Sequence, residues 1–193
     1  MVQIFTPVSQ RLNESGILKF YYKEDNLKDI VLTASVGDPY NIVKDGYYYS
    51  SGGSSDYIQH IQVEIKNKVL TLSHYFINCF QWNGPSCWNF SISYDGINWA
   101  VYHSIKDRNT NRNRQVLIPV KTVGVKFIRW TQTEMGGFGT TRLTYMRIDE
   151  LDIFGSLYND DEYLKSKFKK NCTHKLNTNN YNIFIALLFI YLT

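Results

Sequence analysis

Cysteine is scarce in this chain of 193 residues, with only Cys79, Cys87 and Cys172. Seven residues separate Cys79 from Cys87, too many for a zinc knuckle, and no second pair exists, which excludes a structural zinc site. The same two thiols have the spacing to close a loop as a disulfide if the chain is exported. The four histidines, His60, His74, His103 and His174, stand singly with no HExxH pattern, so no metalloprotease site is expected. Charge is also sparse. Charged residues make up 20%, the net charge is +4 and the pI is about 8.8. That balance excludes the concentrated basic field of a dedicated nucleic-acid binder. The N-terminal MVQIFTPVSQRLNESG lacks a basic start followed by an apolar stretch. No secretory signal is therefore visible, which favours an intracellular location. The terminal apolar run Ile183 to Leu192 would span about 15 Å as a helix, half of the roughly 30 Å hydrocarbon core, so it cannot cross a bilayer unaided.

What is abundant is aromatic. Tyr numbers 15, Phe 11 and Trp 4, within 44% hydrophobic residues, and this composition favours strands in one globular domain over helices. Three zones separate. Residues 1–15 read as a polar lead-in and residues 16–157 as a turn-punctuated all-β domain. Residues 158–193 form a tail, first charged with Lys165 to Lys170, then Asn-rich, then apolar. In the middle zone Ile61, Val63 and Ile65 alternate with Gln62, Glu64 and Lys66, as a half-buried strand requires. Lys66-Asn67-Lys68 reads as a turn before a second extended run from Val69 to Ile77. Trp88, Phe90, Ile92 and Tyr94 share one face of the next strand, which the Asp95-Gly96 dipeptide ends. Val116 to Val120, Val125 to Thr133 and Ile148 to Phe154 supply further strands, and no stretch shows a sustained helical period. The expected fold is an all-β antiparallel sandwich or jelly roll.

Several segments carry a family resemblance in the right order. Ser86 to Trp99 contains Trp88 and then Ser93-Tyr94-Asp95-Gly96-Ile97-Asn98-Trp99. Phe127-Ile128-Arg129-Trp130 follows, and Glu150-Leu151-Asp152-Ile153-Phe154-Gly155 closes the domain. Gly16-Ile17-Leu18 and Val31-Leu32-Thr33-Ala34-Ser35 form a matching opening. Together these resemble the discoidin domain, also called the coagulation factor 5/8 type C domain, of the galactose-binding-like superfamily. The resemblance covers residues 16–157 and implies an eight-stranded antiparallel jelly roll that binds through loops at one end. Secreted members often join the two ends of the domain by a disulfide, and no cysteine pair lies near Gly16 and Gly155. The resemblance also puts Arg129 on a late strand, where an ion pair with Glu150 or Asp152 is expected.

Three long loops carry the candidate binding residues, since a rigid sandwich holds recognition loops in place. Val36 to Ser55 contains Tyr48 within a tyrosine run. Asn78 to Cys87 contains Trp82 and Asn83, and Glu134 to Thr141 contains Phe138 and leads to Arg142. Trp82 reads either as a plug over the sandwich end or as a ring on which a sugar stacks. Arg114 closes an Arg/Asn-rich stretch suited to phosphate or carboxylate, or else to a solvated hairpin. His74, Cys79 and Asp95 have no nucleophile elbow or oxyanion-type glycine motif beside them, so no enzyme activity is expected. No cofactor is expected either. Calcium at Asp45 and Asp56 is compatible with oxygen-ligand chemistry but has no supporting spacing. The expected function is a non-catalytic module that recognises a glycan or a protein surface. The alternatives are an intracellular adaptor, or a peripheral membrane binder that uses the basic and apolar tail.

Overall fold

The computed structural model describes residues 3–5, 16–24, 27–44, 48–49, 59–79, 87–106, 114–120, 122, 124–134, 146–161 and 163. The elements in chain order are β1 (Gln3–Phe5), α1 (Ile17–Lys23), β2 (Ile30–Ala34), β3 (Tyr48–Tyr49), β4 (His60–Ile65), β5 (Lys68–Cys79), β6 (Cys87–Ser93), β7 (Ala100–Lys106), β8 (Arg114–Pro119), β9 (Phe127–Glu134), β10 (Arg147–Ile148) and β11 (Glu150–Asn159). The chain divides into two units, Met1–Asn159 and Asp160–Thr193. The first holds both sheets; of the second only residues 160, 161 and 163 are described. The apolar run and the lysine cluster of the tail therefore lie outside the described residues.

Five antiparallel strands in the order β2-β4-β9-β6-β7 form one sheet, and β1-β11-β5-β8 form the other. The two sheets are those of the expected antiparallel sandwich. β1 adds an edge strand from within the stretch read as a lead-in, pairing Gln3 to Phe5 with Leu157 to Gly155. A short ribbon of β3 and β10 accompanies them. Alternation along β4 places Ile61, Val63 and Ile65 in the core and leaves His60, Gln62 and Glu64 half-buried on the outer face. From the opposite sheet, β5 contributes Leu70, Leu72, Tyr75 and Ile77 to the same core. At its centre the Tyr75 and Phe90 rings stack at 4.2 Å, and Trp130 meets both edge-on at 6.0 and 5.3 Å. Such aromatic pairs add to the burial of apolar area that holds two sheets together.

The turn expected at Lys66-Asn67 exists, but it joins the two sheets instead of closing a hairpin. β4 belongs to one sheet and β5 to the other. Asn67 takes the left-handed φ of 57° that lets the chain change layers in two residues.

A helix, α1, stands where the sequence shows no helical period. It is only seven residues long, too short for its periodicity to register. Its orphan amides are served from across the chain. The buried Asp152 on β11 accepts from the Gly16 N–H at 2.8 Å and the Leu18 N–H at 2.9 Å, and also from its own neighbour Ile153 at 2.9 Å. A carboxylate at a helix start satisfies exposed donors and favours the helix dipole. Ile17, Leu18 and Tyr21 are then buried. Gly16 permits the approach: a Cβ there would lie 2.4 Å from the Asp152 carboxyl and 2.7 Å from the Ile153 carbonyl. Lys19 also pairs with Glu150. Farther along the helix, the Tyr21 hydroxyl accepts from the Lys68 ammonium at 2.5 Å, and Lys68 pairs with Asp29 at 3.2 Å.

Two predictions come from these contacts. Gly155 sits at the β11 bulge with φ 155°, where a Cβ would lie 2.1 Å from the Thr71 carbonyl oxygen. Gly155→Ala is expected to lower stability by about 1–3 kcal/mol, the usual cost of forcing atoms into a packed site, as read by urea denaturation. Burial raises the Asp152 carboxyl to about 7, against the opposing pull of the Ile153, Leu18 and Gly16 amides and Lys19. The ordinary value is 3.8, so the folded chain holds a proton that the unfolded chain has already released between those pH values. This contribution to stability is full below the lower value and is lost as pH rises through the higher one. The stability difference between the wild type and Asp152→Asn should therefore shrink from pH 5 to pH 8; a flat or growing difference contradicts this.

Candidate binding end and sheet face

Strand register gathers the candidate loops at one end of the sandwich. In the larger sheet β2 ends at Ala34, opposite Ile61, and His60 opens β4 opposite Thr131 near the end of β9. Cys87 opens β6 opposite both Glu134 and Lys106, the last residues of β9 and β7. In the smaller sheet Cys79 ends β5 opposite Arg114, the first residue of β8, and Glu150 opens β11 opposite Asn78. A bridge between Leu70, early in β5, and Val125, just before β9, aligns the opposite ends of the two sheets. The chain segments 50–58, 80–86, 107–113 and 135–145 are therefore all anchored at the same end.

Of the six candidate residues, Tyr48 and Arg114 have described backbone positions at that end. Tyr48 pairs with Ile148 and Arg114 with Cys79. Trp82, Asn83, Phe138 and Arg142 lie outside the described residues, as do Asp45 and Asp56. Beneath this end Cys79 and Cys87 are buried as thiols. Below them, the Tyr75 hydroxyl, the Trp88 and Trp130 Nε1 atoms and His103 Nδ1 are buried with no well-aligned hydrogen bond to the described residues. Burial pushes the Tyr75 phenol up to about 12, with the neighbouring Trp88 indole pulling the other way. A phenol so raised stays neutral at ordinary pH and cannot serve as a base. His74 is an ordinary half-buried strand residue whose Nδ1 lies 3.2 Å from the Ser73 hydroxyl. Among the described residues no group of three or more His, Cys, Asp and Glu side chains is placed to hold a metal ion. No helix among them is long and apolar enough to cross a membrane.

A second arrangement, not foreseen from the sequence, occupies the outer face of the larger sheet. Arg129 does not pair with Glu150 or Asp152. Glu150 is taken by Lys19 and Asp152 by the α1 amides, while Arg129 points to the opposite sheet's outer surface. There Gln62, directly across on β4, accepts from Arg129 Nε at 3.1 Å and Nη2 at 2.6 Å through its Oε1. The guanidinium lies over the Trp99 ring, with Cζ 3.9 Å from its centre. This is a cation–π contact, and burial lowers the Arg129 pKa from its ordinary value. His60, two residues from Gln62 on the same face, is also lowered, first by burial and then by the Arg129 charge.

The turn after β6 fixes that indole. The Asp95 carboxylate accepts from the Asn98 N–H at 2.8 Å and its Nδ2 at 2.7 Å, the Ile97 N–H at 2.9 Å and the Ser93 hydroxyl at 3.0 Å. These bonds, led by those from Asn98 and Ile97, hold the carboxyl well below the usual carboxylate range. Gly96 takes φ 75° and packs on Phe127, where a Cβ would come within 3.2 Å of the ring. The Gly96 carbonyl then accepts from Trp99 Nε1 at 3.0 Å.

Two antiparallel sheets with this order and register define a jelly-roll β-sandwich, the fold class expected from the sequence. No protein-family model matches the sequence, and no curated protein matches it either. Solved structures share the fold. A family 32 carbohydrate-binding module from a family 31 glycoside hydrolase of Clostridium perfringens is 15% identical with a TM-score of 0.50, over 66% of this chain and 92% of its own. The C-terminal domain of a chitobiase from Bacteroides fragilis is 16% identical with a TM-score of 0.50, over 68% of this chain and 96% of its own.

The Asp95 turn makes a prediction. Asp95→Ala should speed amide hydrogen exchange at Ile97 and Asn98, whose partner is removed, while β6 and β9 keep their protection. Unchanged exchange at both amides would count against the carboxylate as the organiser of the turn.

Proposed function

We propose that this chain is a non-catalytic carbohydrate-binding module whose recognition loops lie at one end of the jelly roll. The observation that carries this reading is the register, which anchors every candidate loop at the same end of both sheets. The two solved structures named above are, by name, a carbohydrate-binding module of a glycoside hydrolase and a domain of a chitobiase, and they favour the same ligand class. In this reading Trp82, Tyr48 or Phe138 offers a ring to the apolar face of a sugar. Asn83, Arg114 and Arg142 supply hydrogen bonds to its hydroxyls. A shallow site of this kind binds weakly alone and gains strength by repetition or fusion to other modules.

Trp82→Ala is expected to abolish retention on a glycan array while leaving the melting temperature within a few degrees of the wild type. Retention unchanged in a folded Trp82→Ala variant would remove Trp82 from the site. An absence of retention for the wild type on every glycan would count against the carbohydrate reading itself.

A further inference from the structure

We propose that Arg129 and Gln62, with Trp99 beneath the guanidinium, form a second binding site on the outer face of the five-stranded sheet, one that takes the carboxylate of an acidic saccharide. This site uses none of the candidate loop residues, although its row of His60, Thr131 and Asn89 borders the loop end.

The first ground is a partly buried charge held by neutral groups. Lys19, Lys68 and Arg147, also partly buried, each meet an acid, and Glu64 on the same face as Arg129 makes no ion pair with it among the described residues. Arg129 instead spends Nε and Nη2 on one neutral amide oxygen and its face on an indole. A partly buried guanidinium with only neutral partners retains most of its attraction for an anion. These bonds use the Nε–Nη2 edge of the guanidinium and leave its Nη1–Nη2 end without a bond to any described residue. The two parallel N–H groups of that end suit the two oxygens of a carboxylate.

The second ground is preorganisation. Asp95 accepts four hydrogen bonds to hold the turn, the Gly96 carbonyl holds the Trp99 indole, and the indole fixes the plane of the guanidinium. A charge fixed in this way loses little side-chain freedom when a ligand arrives.

The third ground is the surrounding surface. Gln62 and Arg129 form one row across β4 and β9; His60, Thr131 and Asn89 form the adjacent row across β4, β9 and β6. All five are half-buried, outward-facing and polar. With strands about 4.8 Å apart, the three-strand row spans about 10 Å of flat surface. Such a surface offers donors and acceptors to sugar hydroxyls. The lowered pKa of His60 leaves its imidazole neutral, so it can bond to a hydroxyl without adding charge.

The test is an NMR titration of the isotopically labelled full chain with a galacturonic acid trimer and, in parallel, a galactose trimer. The acidic trimer is expected to shift the side-chain signals of Arg129 and Gln62 and the Trp99 indole N–H; the neutral trimer should leave them in place. His60 should titrate at a higher pH in the acidic complex, because the bound carboxylate offsets the guanidinium beside it. Arg129→Gln should weaken binding of the acidic trimer by at least roughly tenfold, as losing a charge-assisted hydrogen bond implies. Arg129→Lys should also weaken it, since an ammonium cannot reproduce the fork. Gln62→Ala removes a half-exposed side chain and gives the same reading should the Arg129 variants not fold. Trp82→Ala should bind the acidic trimer as the wild type does. The proposal is overturned if neither trimer, or both equally, shifts these signals. It is overturned as well if folded Arg129→Gln and Gln62→Ala retain wild-type affinity, if Trp82→Ala abolishes binding, or if a poly-glutamate peptide shifts the same signals at lower concentration than the trimer.

Discussion

One buried carboxylate links the two ends of the domain. Asp152 lies on the last strand, 136 residues from Gly16, and its oxygens accept the amides with which α1 begins. Taking a carboxylic acid out of water is costly unless donors surround it, and here three backbone N–H groups do. Hydrogen bonds alone thus tie the start of α1 to the last strand. The consequence reaches further than the helix. With Gly16 held against β11, Ile17, Leu18 and Tyr21 join the hydrophobic core, and Lys19 occupies Glu150.

That occupancy separates the two polar systems of the molecule. Glu150 and Asp152 lie on the other sheet and are both engaged by the start of α1, so the late-strand arginine pairs with neither. Strand alternation in any case sends Ile128 and Trp130 inward and Arg129 outward. Arg129 then meets Gln62 and Trp99 on the outer face, braced by a turn whose own carboxylate is spent entirely on local bonds. Meanwhile the aromatic layer of Tyr75, Phe90 and Trp130 keeps the two sheets in register, and that register brings the loop anchors to one end. The loop end and the sheet face thus border one another at the row of His60, Thr131 and Asn89.

The strands were legible because burial imposes a period of two on them. Ile61, Val63 and Ile65 stood out against Gln62 and Glu64, and Asp95-Gly96 marked a turn that Asp95 does organise. α1 was not legible, since seven residues cannot show a helical period and its capping acid lies on the other end of the chain. The role of Arg129 was misassigned for a related reason. Glu150 and Asp152, nearer in sequence, are strand residues of the other sheet, whereas its partner is 67 positions away on an adjacent strand. The cue available in the sequence was parity: Arg129 alternates with two large apolar residues, as Gln62 does.

The sequence by itself determined the all-β class, the main strands, the turn at Asp95-Gly96 and the order of segments that resemble a discoidin domain. Each of these is a local matter of alternation, turn chemistry or residue type. Only the tertiary structure decided that Lys66-Asn67 crosses between layers, that Asp152 caps a helix, and that Arg129 sits on Trp99 beside Gln62. Those outcomes depend on which strands become neighbours and in what register. Register is set by the packing of distant side chains across the core, which no local window of residues contains.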